Sequence, residues 1–212
     1  FGTGDFTIEC WYNATTTDFR ICGTEWFGSN INGKWILNTY NSALQLVVID
    51  GSGAQQLYQS GATNLSDGNW HHIAIARSGT SLKFFLDGAV VSTFTSSVNI
   101  LMPNSTPLYI GQYYNPGDGT HLYSIGYLSN LRIVKGTAVY TSAFTPSTTP
   151  LTAITNTSLL TCQSNNFKDN SSNNFALTVS GTPSVQRFSP FAPTSAYSTS
   201  VIGGSGYFDG SG

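Results

Sequence analysis

The stretch from Asn69 to Val91 leaves this chain little choice of fold. Asn69-Trp70-His71-His72-Ile73-Ala74-Ile75-Ala76-Arg77 is followed by Ser78-Gly79-Thr80, then Ser81-Leu82-Lys83-Phe84-Phe85-Leu86, then Asp87-Gly88 and Ala89-Val90-Val91. Asp-Gly between two apolar runs is a strong hairpin signal, because a type I′ turn needs positive φ at both central positions. The pattern predicts strand, tight turn, strand, two-residue turn, strand. In the first strand Ile73 and Ile75 face one way, while Ala74 and Ala76 face the other and are small enough to lie beneath a second layer. Both faces are therefore expected to be covered.

The same period-two reading extends along the chain. Phe6-Thr7-Ile8-Glu9-Cys10-Trp11-Tyr12, Phe19 to Trp26, Trp35-Ile36-Leu37, Ala43 to Ile49, Gln55 to Tyr58, Leu108-Tyr109-Ile110-Gly111 and Leu122 to Val134 all read as strands. Clusters such as Asn30-Ile31-Asn32-Gly33 and Asp50-Gly51-Ser52-Gly53 separate them as turns, and Gln112 to His121 reads as a polar, aromatic loop. No segment keeps a 3.6-residue period. Strands recurring every ~10 residues predict an all-β, antiparallel sandwich.

Composition narrows the function classes. Only 8% of the 212 residues are charged, against roughly 25% in an ordinary soluble domain, so solubility rests on Ser, Thr, Asn and Gly. A net charge of -2 supplies no basic field for nucleic acid. With 13% aromatic residues the chain has the apolar bulk to fold, and no apolar run approaches the ~20 residues of a membrane span. Cys10, Cys22 and Cys162 cannot all pair. They read as buried thiols, with a bridge between Cys10 and Cys22, on what look like adjacent strands, as the alternative.

Asp67-Gly68-Asn69-Trp70-His71-His72, the apolar alternation after it, and the closing Asp87-Gly88 resemble the signature of laminin-G-like domains of the concanavalin A-like superfamily. Phe6 to Trp11 is similar to the entry strand of those domains, and Ile125 to Ile133 to their closing strand, except that Ser129-Asn130 stands where an acidic residue is usual. The resemblance implies a jelly-roll β-sandwich. The run from Gly136-Thr137-Ala138-Val139-Tyr140 through Thr145-Pro146 to Leu159-Leu160-Thr161-Cys162 resembles laminin-G-like repeats in fibre and structural proteins of marine tailed bacteriophages.

Three parts follow: a sandwich core over 1–140, a Ser/Thr/Pro-rich connector over 141–157, and strands with an extended tail over 158–212. In the last part Ser158 to Cys162 and Phe175 to Val179 read as strands and Asp169 to Asn173 as a turn. Leu159 to Cys162, Asp169 to Asn173 and Tyr207-Phe208-Asp209-Gly210 resemble, in order, the opening of another such domain, whose next strand would be the element at Phe6 to Tyr12. The tail is thus expected either to complete its own sandwich or to be donated to the next unit, with Phe6, Ile8, Tyr207, Phe208 and Asp209 as assembly residues. A head-to-tail contact of that kind propagates into a filament.

Catalysis finds little support. Glycoside hydrolysis needs two carboxyls across a cleft, and the chain has only two glutamates, Glu9 and Glu25. No G-x-S-x-G motif is present, and His71-His72 shows no evident orienting acid in the sequence. No Cys/His cluster has zinc spacing. Sugar binding is better served, since shallow sites stack aromatic rings on sugar faces and hold hydroxyls with amides or carboxylates. Trp26, Tyr113, Tyr114, Asp118 and His121 supply those groups on two loops, with packing of the two tyrosines onto the loop base as the competing reading. Calcium, which the family resemblance makes possible, would fall to Asp169 and Asn173; no other cofactor is expected. Five N-x-Ser/Thr sequons are no more than a chain so rich in Ser and Thr produces by chance.

These readings converge on a non-catalytic structural or adhesive repeat of an extracellular fibre, filament or virion appendage. It would assemble head to tail with copies of itself and could hold cell-surface polysaccharide. The rival is a carbohydrate-binding module of a larger enzyme or adhesin, and a glycoside hydrolase using Glu9 and Glu25 comes last.

Overall fold

The computed structural model describes residues 1–24, 33–61, 63–101, 106–115, 119–191 and 205–210. These form fifteen strands and no helix: β1 (Phe6–Asn13), β2 (Phe19–Gly23), β3 (Lys34–Tyr40), β4 (Ala43–Ile49), β5 (Gln55–Gln59), β6 (His71–Ser78), β7 (Ser81–Leu86), β8 (Ala89–Thr95), β9 (Tyr109–Ile110), β10 (Gln112–Asn115), β11 (Thr120–Tyr123), β12 (Ile125–Lys135), β13 (Thr157–Thr161), β14 (Ser184–Gln186) and β15 (Ser205–Asp209). One sheet has the order β14-β15-β12-β1-β6-β7-β8, with β13 also on β12; the other has the order β5-β4-β3-β2-β9. The pairings are antiparallel. The architecture is the predicted antiparallel sandwich.

The predicted meander is β6-β7-β8, with Ile73 opposite Leu86 and Phe85 opposite Val90. Asp87 (φ 50°) and Gly88 (φ 81°) both take the positive φ that the turn requires. Alternation then sets the faces. Ile73 and Ile75 join Phe6, Ile8, Cys10, Trp35, Leu46 and Phe84 in the core between the sheets, whereas Ala74, Ala76 and Phe85 lie on the outer face of the larger sheet.

What covers that outer face is one stretch, the end of the expected core together with the first part of the segment expected as a connector over 141–157. From Gly136 it crosses the sheet, with Tyr140 and Phe144 stacked at 3.6 Å and packed on Ala74, Ala76 and Phe85. Thr7 Oγ1 donates to the Thr137 carbonyl and accepts from Val139 N–H, and Lys83 Nζ donates to the Thr141 carbonyl at 2.5 Å. Phe144 N–H donates to the Gly88 carbonyl. Further on, Leu151 N–H meets Asn130 Oδ1 at 2.6 Å. Residues 136–152 are therefore a strap, an outer layer rather than a linker.

Other boundaries shift as well. The expected loop over Gln112–His121 is a hairpin, β10 with β11. Phe175 to Val179, expected as a strand, belongs to no strand. Only Phe19–Gly23 of the strand expected over Phe19 to Trp26 is seen as strand, and residues 25–32 lie outside the described residues. Cys10 and Cys22 sit in opposite sheets, and all three cysteines are buried free thiols. Burial pushes each thiol up, Cys162 to about 12, so none is a ready nucleophile.

The tail closes on its own chain. β15 pairs with the first half of β12, Tyr127 opposite Tyr207, while β13 pairs with the second half. β1 lacks no neighbour: β6 and β12 occupy both its edges. Tyr207 to Asp209 therefore lies beside β12 and not beside β1. Phe6 and Ile8 point into the core and offer no surface to a neighbour.

Candidate functional site

Hairpin alternation sorts the residues expected to bind ligand. Tyr114 lies opposite His121, and Gln112 opposite Tyr123, which puts these four on one face. Tyr113 faces the other way and is buried against Ile36 and Val47 on the outside of the smaller sheet, with the Arg20 guanidinium 4.8 Å from its ring centroid. Tyr113 is thus the base of the hairpin and not a ligand contact. Trp26 and Asp118 lie outside the described residues.

The remaining face is an aromatic surface centred on exposed His121. Its ring lies 4.9 Å from Tyr114, 5.8 Å from Tyr123 in a near-parallel stack at 13°, and 6.3 Å from Tyr109. Gln112 Oε1 sits 3.0 Å from His121 Nδ1 and fixes the imidazole. Tyr123 is absent from the sequence expectation because the alternation within 112–123 is hidden by tyrosines on both faces, and Tyr109 because it reaches the hairpin from a separate strand, β9. Pro116-Gly117-Asp118-Gly119 between two aromatic pairs was the signal that could have revealed a hairpin.

The turn at Asp169 is a closed hydrogen-bond node. Its Oδ1 accepts from Leu160 N–H (3.1 Å) and Ser171 N–H (2.8 Å), and its Oδ2 from Ser171 Oγ (2.9 Å) and Phe175 N–H (2.9 Å). Burial would raise its pKa, but these donors hold it below the ordinary value. Asn173 Nδ2 donates to the Ser158 carbonyl at 2.9 Å. Both Asp169 oxygens thus accept from groups of this chain and Asn173 is tied through its amide nitrogen; among the described residues no group of three or more His, Cys, Asp or Glu is placed to hold a metal ion.

Both histidines of the signature have acids, contrary to the sequence expectation. His71 Nδ1 is 2.8 Å from Asp87 Oδ2 and its Nε2 3.2 Å from Asp67 Oδ1. Asp87 Oδ1 also accepts His72 N–H at 2.8 Å. The other imidazole, His72, is fully buried with Nε2 3.1 Å from Glu9 Oε2. Glu9 receives Tyr140 O–H at 2.8 Å on the same oxygen and Arg132 on the other. Burial alone would raise Glu9, but the hydrogen bond with His72, the Arg132 charge and the Tyr140 hydroxyl hold it below the ordinary carboxylate value. Both Glu9 oxygens are thus engaged beneath the strap, and Glu25 lies outside the described residues.

Of the expected assembly residues, Tyr207 meets Tyr127 at 4.9 Å, Phe208 packs edge-on to Phe19 at 6.4 Å, and Asp209 accepts Thr182 O–H at 2.6 Å. Among the described residues no helix is long and apolar enough to cross a membrane.

Comparison with known proteins places this arrangement. The fold is shared with a candidate carbohydrate binding protein of Bacteroides ovatus, at 20% identity and a TM-score of 0.54 over 76% of this chain and 45% of that one. It is shared too with the CBM40 domain of the Ruminococcus gnavus IT-sialidase, at 11% identity and a TM-score of 0.51 over 66% of this chain and 80% of that one. Domains LG4-5 of the mouse laminin alpha1 chain align at 17% identity and a TM-score of 0.49, over 69% of this chain and 43% of theirs. The chain therefore spans less than half of the Bacteroides ovatus and laminin structures. Comparison with curated proteins gives no match. Residues 1–143 match the laminin-G family described as the Concanavalin A-like lectin/glucanases superfamily, and the chain belongs to that family.

Proposed function

We propose that this chain is a non-catalytic, carbohydrate-binding module serving as an adhesive repeat of an extracellular fibre, filament or virion appendage. The observation that carries it is the face formed by Tyr109, Gln112, Tyr114, His121 and Tyr123, where rings and polar groups share one surface on a hairpin pinned from below by Tyr113. Aromatic rings pack against the C–H faces of a sugar while amide and imidazole groups meet its hydroxyls. The burial of Glu9 with its three partners supports a binding role over hydrolysis. The carbohydrate-binding descriptions of two structures that share the fold point the same way.

Copies are arranged in series. Because Tyr207 to Asp209 pairs with β12 of its own chain, the structure favours units each closed on itself and joined end to end over units completed by a neighbour's strand. The second reading, a module serving an enzyme elsewhere on a longer chain, uses the same surface.

A glycan array probed with the wild-type chain and a Tyr114→Ala/His121→Ala variant tests the site. Selective binding lost in the variant is expected, and binding unchanged by the two substitutions overturns it. Electron microscopy of the intact source assembly separates repeat from enzyme module, since only the former shows serial copies.

A further inference from the structure

An apolar cleft of about 800 Å³ opens along one side of the sandwich, between β9 of the smaller sheet and β13 and β15 of the larger. Trp35, Ile133, Leu159 and Phe208 line it with core side chains, and Tyr109 and His121 stand among its lining residues. The stretch 175–180 borders it. Within that stretch Leu177 packs on the core, whereas Phe175 and Val179 are 56% and 52% exposed. Phe175 N–H is fixed to Asp169, but residues 176–180 belong to no strand. A border outside the hydrogen-bond ladders can move without breaking either sheet.

Two charged side chains line the cleft. The Asp209 carboxylate already accepts the Thr182 hydroxyl. The Lys135 ammonium, by contrast, makes no hydrogen bond or ion pair among the described residues. A space of this volume falls within the range of small-molecule sites, and an apolar lining gives water few partners. Its occupant is therefore mainly apolar, with an anionic end for Lys135.

We propose that the cleft binds a long-chain aliphatic carboxylate, its chain between the sheets and its carboxylate on Lys135. This inference does not rest on the glycan reading, although Tyr109, Gln112, His121 and Tyr123 border both; Tyr114 is not among the residues lining the cleft, and the Tyr114→Ala variant is expected to bind the carboxylate as wild type does. Burying each further methylene should tighten binding roughly fourfold. Affinity is thus expected to rise by roughly two orders of magnitude from octanoate to dodecanoate.

The test uses cis-parinarate, whose absorption overlaps tryptophan emission, with Trp35 in the cleft wall as donor. Saturable energy transfer, displaced by palmitate, is the expected result. Lys135→Met should weaken palmitate roughly tenfold while leaving hexadecanol displacement unchanged, and being an exposed substitution it should not disturb folding. Ala176→Trp, at an exposed position bordering the cleft, should abolish both. Absence of saturable transfer overturns the proposal, as does binding that Ala176→Trp leaves intact or a palmitate affinity that ignores Lys135→Met. If the chain binds no parinarate but self-associates with protected amides at 176–180, the cleft is a strand-docking edge and the proposal is likewise wrong.

Discussion

Arg132 holds Glu9 by one oxygen: its Nε lies 2.8 Å and its Nη2 2.5 Å from Glu9 Oε1, with both side chains buried on the outer face of the larger sheet. The third guanidinium nitrogen donates to the Thr152 carbonyl at 2.9 Å, so one side chain fastens the strap to β1. Removing one partner of a buried pair strands the other charge, whereas removing a neutral donor loses a single bond. Arg132→Met is expected to cost about 3–5 kcal/mol, and Tyr140→Phe about 1 kcal/mol. Urea denaturation measures both, and equal costs would remove the ion pair from its place at the centre of this cluster.

His71 gives the opposite pH response from the carboxylates. Its hydrogen bond with Asp87 raises its pKa against the opposing effect of burial, with Asp67 adding to the rise. A group raised above its unfolded value of ~6.5 contributes fully below that value, and the contribution is lost as pH climbs through the folded pKa. Glu9, Asp87 and Asp169 are lowered in the folded chain, so their contributions exist above the unfolded value of ~4 and vanish as pH falls through the folded one. Stability should peak between about pH 4.5 and pH 6.5 and decline on either side. Urea midpoints across that range check it. His71→Gln should flatten the decline above neutrality while Glu9 and Asp169 preserve most of the acid limb.

Gly88 answers to two constraints at once. Its φ of 81° disfavours any L side chain, and a Cβ there would collide with the Phe144 carbonyl of the strap. Gly79, also in a turn of the meander, has φ 58° and open space around its missing Cβ. Gly79→Ala should therefore cost about 1 kcal/mol from the backbone alone, and Gly88→Ala about 2 kcal/mol or more because the strap must also move. Thermal unfolding of the two variants separates the contributions. Equal losses would mean that the strap does not rest on the turn.

The contrast between that turn and the strap explains what the sequence made legible. Asp87-Gly88 and the alternation about Ile73 and Ile75 are local signals, fixed by φ and by the two-residue period, and the structure follows them. Residues 136–152 carry no period because their backbone is irregular; Tyr140 and Phe144 supply the rings packed on the outer face, and the hint lay across the fold in small Ala74 and Ala76. His71 meets Asp87 through the β6-β7 register, a contact that the hairpin implies but that inspection of neighbouring residues does not show. Tyr113 and Tyr114 are chemically identical and adjacent. Strand parity alone distinguishes them, and parity is unreadable in a segment taken for a loop.

That parity makes a sharp prediction. Tyr113→Ala removes a ring buried against Ile36 and Val47 and should cost about 3 kcal/mol of stability. Tyr114→Ala, on the opposite face, should change stability by only about 0.5 kcal/mol while removing glycan binding. Chemical denaturation alongside a binding assay reads both effects. A Tyr113 variant that folds as wild type but no longer binds would exchange the two roles.

Closure of the tail within its own chain turns on Gly111 and Phe208. Gly111 has φ 70°, and the space a Cβ would fill is taken by the Phe208 ring of β15, which also meets Phe19 in the core. Gly111→Ala and Phe208→Ala should both loosen β15, the latter by about 3 kcal/mol. If β15 pairs with its own β12, the unfolding midpoint of the wild-type chain stays constant over a hundredfold range of protein concentration. Strand exchange between copies would instead raise that midpoint with concentration, because association would then contribute to stability. A rising midpoint, abolished by Phe208→Ala, would show that neighbours complete one another's sandwiches.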